Sequence, residues 1–170
     1  MSGLTQENQS PQFRHVFIGA DHAGFEIKEA LKAHMLSLGL SHDDFGCDDL
    51  NAVDYPDVAA KVSEAVLVMP DSMGVLCCGS GVGMSIAANR YNGLRAVLAF
   101  DSHVAELSRL HNNANILCLG GRITAEAYAQ EIFEVFLNGV FEGERHMTRI
   151  NKLDRLVSSG DLTSCPSSTC

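Results

Sequence analysis

A cysteine at the tip of an apolar run, followed at once by three alternating glycines, is the part of this sequence best equipped for chemistry. The stretch reads Gly74-Val75-Leu76-Cys77-Cys78-Gly79-Ser80-Gly81-Val82-Gly83-Met84-Ser85-Ile86-Ala87-Ala88-Asn89-Arg90. Gly79, Gly81 and Gly83 permit a sharp turn whose backbone N–H groups converge, a nest that suits negative charge. A helix N-terminus following the turn adds to that preference. Cys78 adjoins the nest, the kind of setting in which cysteine acts as a base or nucleophile. A base beside an anion hole is the minimum equipment for taking a proton from the carbon next to a carbonyl.

Other uses of such a turn can be weighed on spacing. A Walker loop needs lysine and then serine or threonine after its glycines, and none follows here. A dinucleotide fingerprint belongs to the first strand–helix unit, whereas this loop follows the third strand-like run. A cysteine phosphatase needs an arginine six residues beyond its nucleophile; Met84 holds that place for Cys78 and Gly83 for Cys77. Cys77 continues the apolar run and is expected to pack inside, which leaves Cys78 at the turn.

Two polar pairs, Asp21-His22 and His111-Asn112, sit where a strand or a helix ends, and both are expected on one sheet edge. A histidine in such a place often does no more than cap a turn, and His103 reads as a solvated helix position. Asp21, His22 and His111 lack any spacing that favours a metal, so none is expected. Arg122 follows the fifth strand-like run. Arg145 and Arg149 lie four apart and would share a helix face, fit either for a phosphate or simply for solvent.

The elements that must position these groups follow from periodicity. Apolar runs at 15–19, 40–45, 73–77, 94–100 and 116–119 read as strands. Between them lie helical stripes such as Ile27-Leu31-Met35, closed by Gly39, and Val58-Val62-Val66, closed by Pro70. Thr124 is the expected cap of the stripe through Tyr128, Ile132 and Phe136, and a basic segment from Gly143 to about Leu156 ends the pattern. Strands alternating with helices predict an α/β fold: a single open parallel five-stranded sheet with helices on both faces, Rossmann-like. Ligands of such sheets bind at the carboxyl ends of the strands, which puts Asp21, His22, Cys78 and the glycine turn together. Residues 14–157 are expected to form this one domain, between a flexible arm (1–13) and a flexible tail (158–170).

The chain has 170 residues and a net charge of −9, which argues against non-specific nucleic-acid binding but not against a small anion held by local arginines. No run approaches the roughly 18 apolar residues of a membrane span. The first residues lack an apolar signal core. Cys47, Cys77, Cys78, Cys118, Cys165 and Cys170 form no C-x-x-C pair, so reduced thiols and a cytoplasmic location are expected.

Taken together, the motifs resemble the type B ribose-5-phosphate isomerases. They are Gly19-Ala20-Asp21-His22-Ala23-Gly24, Asp54-Tyr55-Pro56, Cys78 through Asn89, His111-Asn112-Asn113-Ala114-Asn115 and Arg145-His146-Met147-Thr148-Arg149-Ile150. The likeness runs in order over about residues 14–156, and the wider family includes allose- and galactose-6-phosphate isomerases. It implies a cofactor-free aldose–ketose isomerisation through a cis-enediolate. Cys78 would be the proton-transfer base, the amides of Gly79, Ser80, Gly81, Val82 and Gly83 the oxyanion hole, and the Ser80 hydroxyl a proton relay. The resemblance further implies that His111 opens the sugar ring with help from Asp21, and that Tyr55 and Asn112 contact the sugar. His22, Arg122, Arg145 and Arg149 would grip the phosphate. The last two would reach across from a second subunit, so a homodimer, in some cases paired into a tetramer, is implied. The alternatives are a hexose-6-phosphate isomerase of the same family and a non-catalytic sugar-phosphate-binding module.

Overall fold

The structure, a computed structural model, describes residues 13–158. The expected arm, apart from Phe13, and the expected tail beyond Ser158, with Cys165 and Cys170, lie outside the described residues. The strands are β1 (His15–Ala20), β2 (Ser41–Asp44), β3 (Ser72–Cys78), β4 (Ala96–Leu98) and β5 (Ile116–Gly120). The helices are α1 (Phe25–Ser37), α2 (Tyr55–Val68), α3 (Val82–Ala88), α4 (Ser102–Asn112), α5 (Glu126–Asn138) and α6 (Arg145–Ser158).

All five strands are parallel, in the order β2-β1-β3-β5-β4, so the expected single parallel sheet is found. Every residue of β3 and β5 is buried, as two-sided coverage requires of central parallel strands. Ile27, Leu31 and Met35 of α1 pack with Ala105 of α4 and Phe133 and Phe136 of α5 on one face. Val58, Val62 and Val66 of α2 pack with Met84 and Ala88 of α3 on the other. Strand alternation sends neighbouring cysteines into different layers: Cys77 joins the first core and Cys78 the second.

Several boundaries follow local chemistry. Gly39 (φ +70°) ends α1 in a Schellman arrangement, with the Leu40 N–H on the Met35 carbonyl at 2.9 Å and the Gly39 N–H on Leu36 at 3.1 Å. The run expected over 94–100 shortens to the edge strand β4, whose half-buried residues have sheet on one side only. Thr124 is not the cap of α5. It donates its N–H to the Gly120 carbonyl within the preceding turn, and Ala125 takes the N-cap place without a side-chain bond. Among the described residues, no helix is long and apolar enough to cross a membrane.

Candidate active site

From β1 the chain enters α1 on one face; from β3 it enters α3 on the other. The adjacent carboxyl ends of β1 and β3 therefore flank a crevice, the topological switch point of the sheet. The Asp21 N–H donates to the Cys77 carbonyl at 3.1 Å, which holds Asp21 level with Cys78. Asp21 Oδ1 accepts the N–H groups of Ala23 (2.9 Å) and Gly24 (3.0 Å), so the carboxylate also shapes the turn into α1. Gly24 has to be glycine: a Cβ there would lie 2.4 Å from the Cys77 carbonyl carbon.

The glycine turn is built around the sulfur. Gly81 takes φ +77° at the N-cap of α3, and its N–H donates to Cys78 Sγ at 3.1 Å. The loop after β5 closes the opposite wall, with the Gly121 N–H on the Cys78 carbonyl (2.8 Å) and the Arg122 N–H on that of Gly79 (3.1 Å). Tyr55, in the first turn of α2, lays its ring against Gly83, where a Cβ would meet ring carbons at 2.7 Å. Asp21, Tyr55, Cys78, Gly79, Ser80, Gly83, Arg122 and Ile123 line a cavity of about 370 Å³, within the range of small-ligand sites.

The two cysteines differ in surroundings. Cys77 is fully enclosed, and burial together with the nearby Cys78 pushes its thiol far above the ordinary range. Cys78 is 5% exposed and faces the cavity. His22 is half-buried on the same turn as Asp21, and its Nδ1 is buried without a hydrogen-bond partner.

The expectation that His111-Asn112 joins Asp21-His22 on one edge is not met. Asp101 caps α4 by accepting the Val104 N–H at 2.7 Å, and the helix then runs back antiparallel to the strands. It ends at Asn113 (φ +47°), just before β5 begins, so His111 and Asn112 lie at the amino edge. The buried Arg109 pins that end by donating to the Ala114 carbonyl, to Asn113 Oδ1 (3.1 Å) and to the Gly139 carbonyl (3.3 Å). Asn112 lines a separate cavity of about 220 Å³ with Asn89, Arg95 and Leu153.

His111 instead meets the start of α6. Its ring stacks on that of His146, centroids 4.5 Å apart and 7° from parallel. Glu142 Oε2 lies 3.8 Å from His111 Nε2, 3.4 Å from His146 Nε2 and 3.8 Å from Arg145 Nη2. Burial, then the neighbouring Arg145 and His111, push the His146 imidazole below its ordinary value. Arg145 and Arg149 are exposed on α6, the helix their spacing required. His103 is solvated, as expected, with Glu106 at 3.5 Å. Ile123 and Glu142 join these groups without any motif to mark them, and His146, quoted above only within the motif of Arg145 and Arg149, gains a partner four residues back in Glu142.

A sequence model of the ribose/galactose isomerase family matches residues 16–153. Ribose-5-phosphate isomerase B of Escherichia coli is 37% identical over 140 residues, 82% of this chain and 94% of that one. Among solved structures, a ribose 5-phosphate isomerase from Thermotoga maritima superposes with a TM-score of 0.81 at 46% identity, covering 83% of this chain and 97% of that one. Ribose-5-phosphate isomerase B of Mycoplasma genitalium, solved with bound ribulose-5-phosphate, gives 0.82 at 36% identity over 85% and 97%. With similarity of this extent across the sheet, the cavity and α6, the chain belongs to the ribose/galactose isomerase family.

Proposed function

We propose that this protein interconverts D-ribose 5-phosphate and D-ribulose 5-phosphate, a step of the non-oxidative pentose phosphate pathway, with Cys78 as the base. The observation that carries this reading is the position of Cys78 Sγ. It is held by the Gly81 N–H at 3.1 Å and faces a cavity that also presents Asp21, Ser80, Tyr55 and Arg122. The Escherichia coli and Mycoplasma genitalium relatives support the pentose phosphate as substrate.

In the proposed reaction the Cys78 thiolate removes the proton from carbon-2 of the open-chain aldose. The electron pair forms the carbon-1–carbon-2 double bond, and the carbonyl oxygen becomes an enediolate oxygen held by the amides of residues 79–83. Ser80 passes the proton of the carbon-2 hydroxyl to the carbon-1 oxygen. Cys78 then returns its proton to carbon-1, which leaves the carbonyl at carbon-2. Hydrogen only moves within one molecule, so the chemistry needs no external oxidant or cofactor.

Ring opening is assigned to His111, with Asp21 assisting, and sugar contact to Tyr55 and Asn112. His22, Arg122, Arg145 and Arg149 anchor the phosphate, spending its binding energy on orientation. The position of His111, Asn112, Arg145 and Arg149 at the edge away from Cys78 supports a homodimer, in some cases paired into a tetramer, in which each cavity is completed by the partner subunit. The buried reduced cysteines 47, 77, 78 and 118 support a cytoplasmic setting.

Assaying ribose 5-phosphate and allose 6-phosphate side by side tests the substrate. A higher kcat/KM on the pentose is expected; equal or greater efficiency on the hexose would replace this reading with a hexose-6-phosphate isomerase. Binding of both sugars without turnover would leave a non-catalytic module.

A further inference from the structure

Among the described residues, His111, Glu142 and His146 form a grouping of metal-ligating side chains whose ligand atoms all lie within 4.8 Å of one another. Their scaffold is well defined. His111 occupies the last turn of α4, and the Glu142 N–H donates to the Leu110 carbonyl at 3.0 Å, which ties the loop before α6 to that helix. His146 lies one turn beyond Glu142, its own N–H on the Gly143 carbonyl at 2.9 Å. The near-parallel stacking of the two imidazoles leaves both Nε2 atoms near one carboxylate oxygen, Oε2 of Glu142.

A second observation points to a ligand. The His146 side chain is only 7% exposed, and its Nε2 is buried with no hydrogen-bond partner. A buried polar nitrogen left in that state costs free energy that a ligand would restore. Glu142 Oε2 is 3.4 Å away but does not complete the bond. Two imidazoles and one carboxylate suit a tetrahedral Zn²⁺-class cation with water as the fourth ligand, once the half-exposed His111 ring turns out of the stack so that both Nε2 lone pairs converge on one ion. Arg145 competes for Glu142 from 3.8 Å, yet its side chain is 68% exposed and can turn into solvent.

The geometry points to a binding site for a divalent cation of the zinc class formed by His111, Glu142 and His146. An occupied site ties up His111 and so inhibits isomerisation. That consequence rests on the isomerase reading; the binding does not.

The test titrates the full-length protein with Zn²⁺ against a chromogenic chelator, and repeats the titration for His146→Gln and Glu142→Gln after thermal melts show both folded. Each substitution should weaken Zn²⁺ binding by more than about tenfold, a loss that even outer partners of metal ligands can cause. Co²⁺ in place of Zn²⁺ should give the visible bands of a tetrahedral nitrogen–oxygen site without thiolate charge transfer in the near ultraviolet. No Zn²⁺ taken from the chelator, binding that both variants retain, or a thiolate band from cysteine ligation would overturn the site. Binding lost in both variants while Zn²⁺ leaves wild-type activity unchanged upholds the site and counts against His111 as the ring-opening group.

Discussion

Cys78 and His111 stand at opposite edges of one parallel sheet. Cys78 closes β3 at the carboxyl edge, while His111 closes α4, which returns to the amino edge where β5 begins. The 11 residues of α4 cover about 16 Å in returning from one edge to the other. The separation gives structural content to the proposal of a divided site. One subunit would offer the thiol, the glycine loop and Arg122, and the other would offer His111, Asn112, Arg145 and Arg149.

Among the four cysteines of the described residues, alkylation should single out Cys78. Cys77 and Cys118 are fully buried, and burial holds both thiols far above the ordinary range; it also raises the Cys47 thiol. Under limiting iodoacetamide, peptide mass spectrometry should find Cys78 modified before these three, with activity falling in step and ribose 5-phosphate slowing the loss. An enzyme fully alkylated at Cys78 and still active would remove it from the mechanism.

The two neighbouring glycines should fail in different ways. Gly81→Ala forces a side chain into φ +77° with a Cβ 2.5 Å from Leu98 Cδ1, and should cost about 1–3 kcal/mol in urea denaturation. Gly83→Ala lies in the first turn of α3 at a backbone conformation that alanine accepts, but its Cβ displaces the exposed Tyr55 ring. Its stability should stay near wild type while KM for the sugar phosphate rises. An unchanged KM would take Tyr55 out of the site.

Acid stability should depend on Asp44. Burial works to raise its carboxyl, but hydrogen bonds from Lys28 and Lys32 and the Gly46 N–H overcome this and hold it below the ordinary value. A carboxylate depressed in the folded state contributes stability that is present above its unfolded value of about 3.9. That contribution is lost as pH falls through the folded value. Asp44→Asn should therefore flatten the loss of stability below about pH 4. At neutral pH it should cost about 3 kcal/mol, because the fully buried Lys28 would be left with Glu29 as its one carboxylate partner among the described residues. Denaturation midpoints from pH 2.5 to 7 check both; an equally steep acid limb in the variant would contradict the assignment.

The sheet and half of the site were legible because their signals are local. An apolar run ending in Cys78 and three glycines can hardly be anything but a buried strand turning into a helix, and the parallel-sheet rule then brings Asp21 beside it. Alternation also separated Cys77 from Cys78. His111 was misplaced because its edge depends on the direction of α4, which no residue near His111 announces. The strand order was equally hidden, since the runs at 94–100 and 116–119 look alike, yet one is an edge strand and the other central. Nothing local to Lys28 or Arg109 announces that either side chain is buried. In the fold Lys28 is enclosed with Asp44, and Arg109 is sandwiched between Phe13 and Phe136 (4.5 and 5.5 Å to the ring centroids). Their burial is set by partners distant in sequence.

The most direct test mixes two inactive proteins, Cys78→Ala and His111→Ala, after unfolding and refolding them together. If Cys78 of one subunit works with His111 of its partner, a mixed dimer holds one intact site and one doubly damaged site. Random pairing then restores about a quarter of wild-type ribose 5-phosphate isomerisation. Mixed dimers that form, as mass spectrometry can show, yet recover no activity would contradict the divided site.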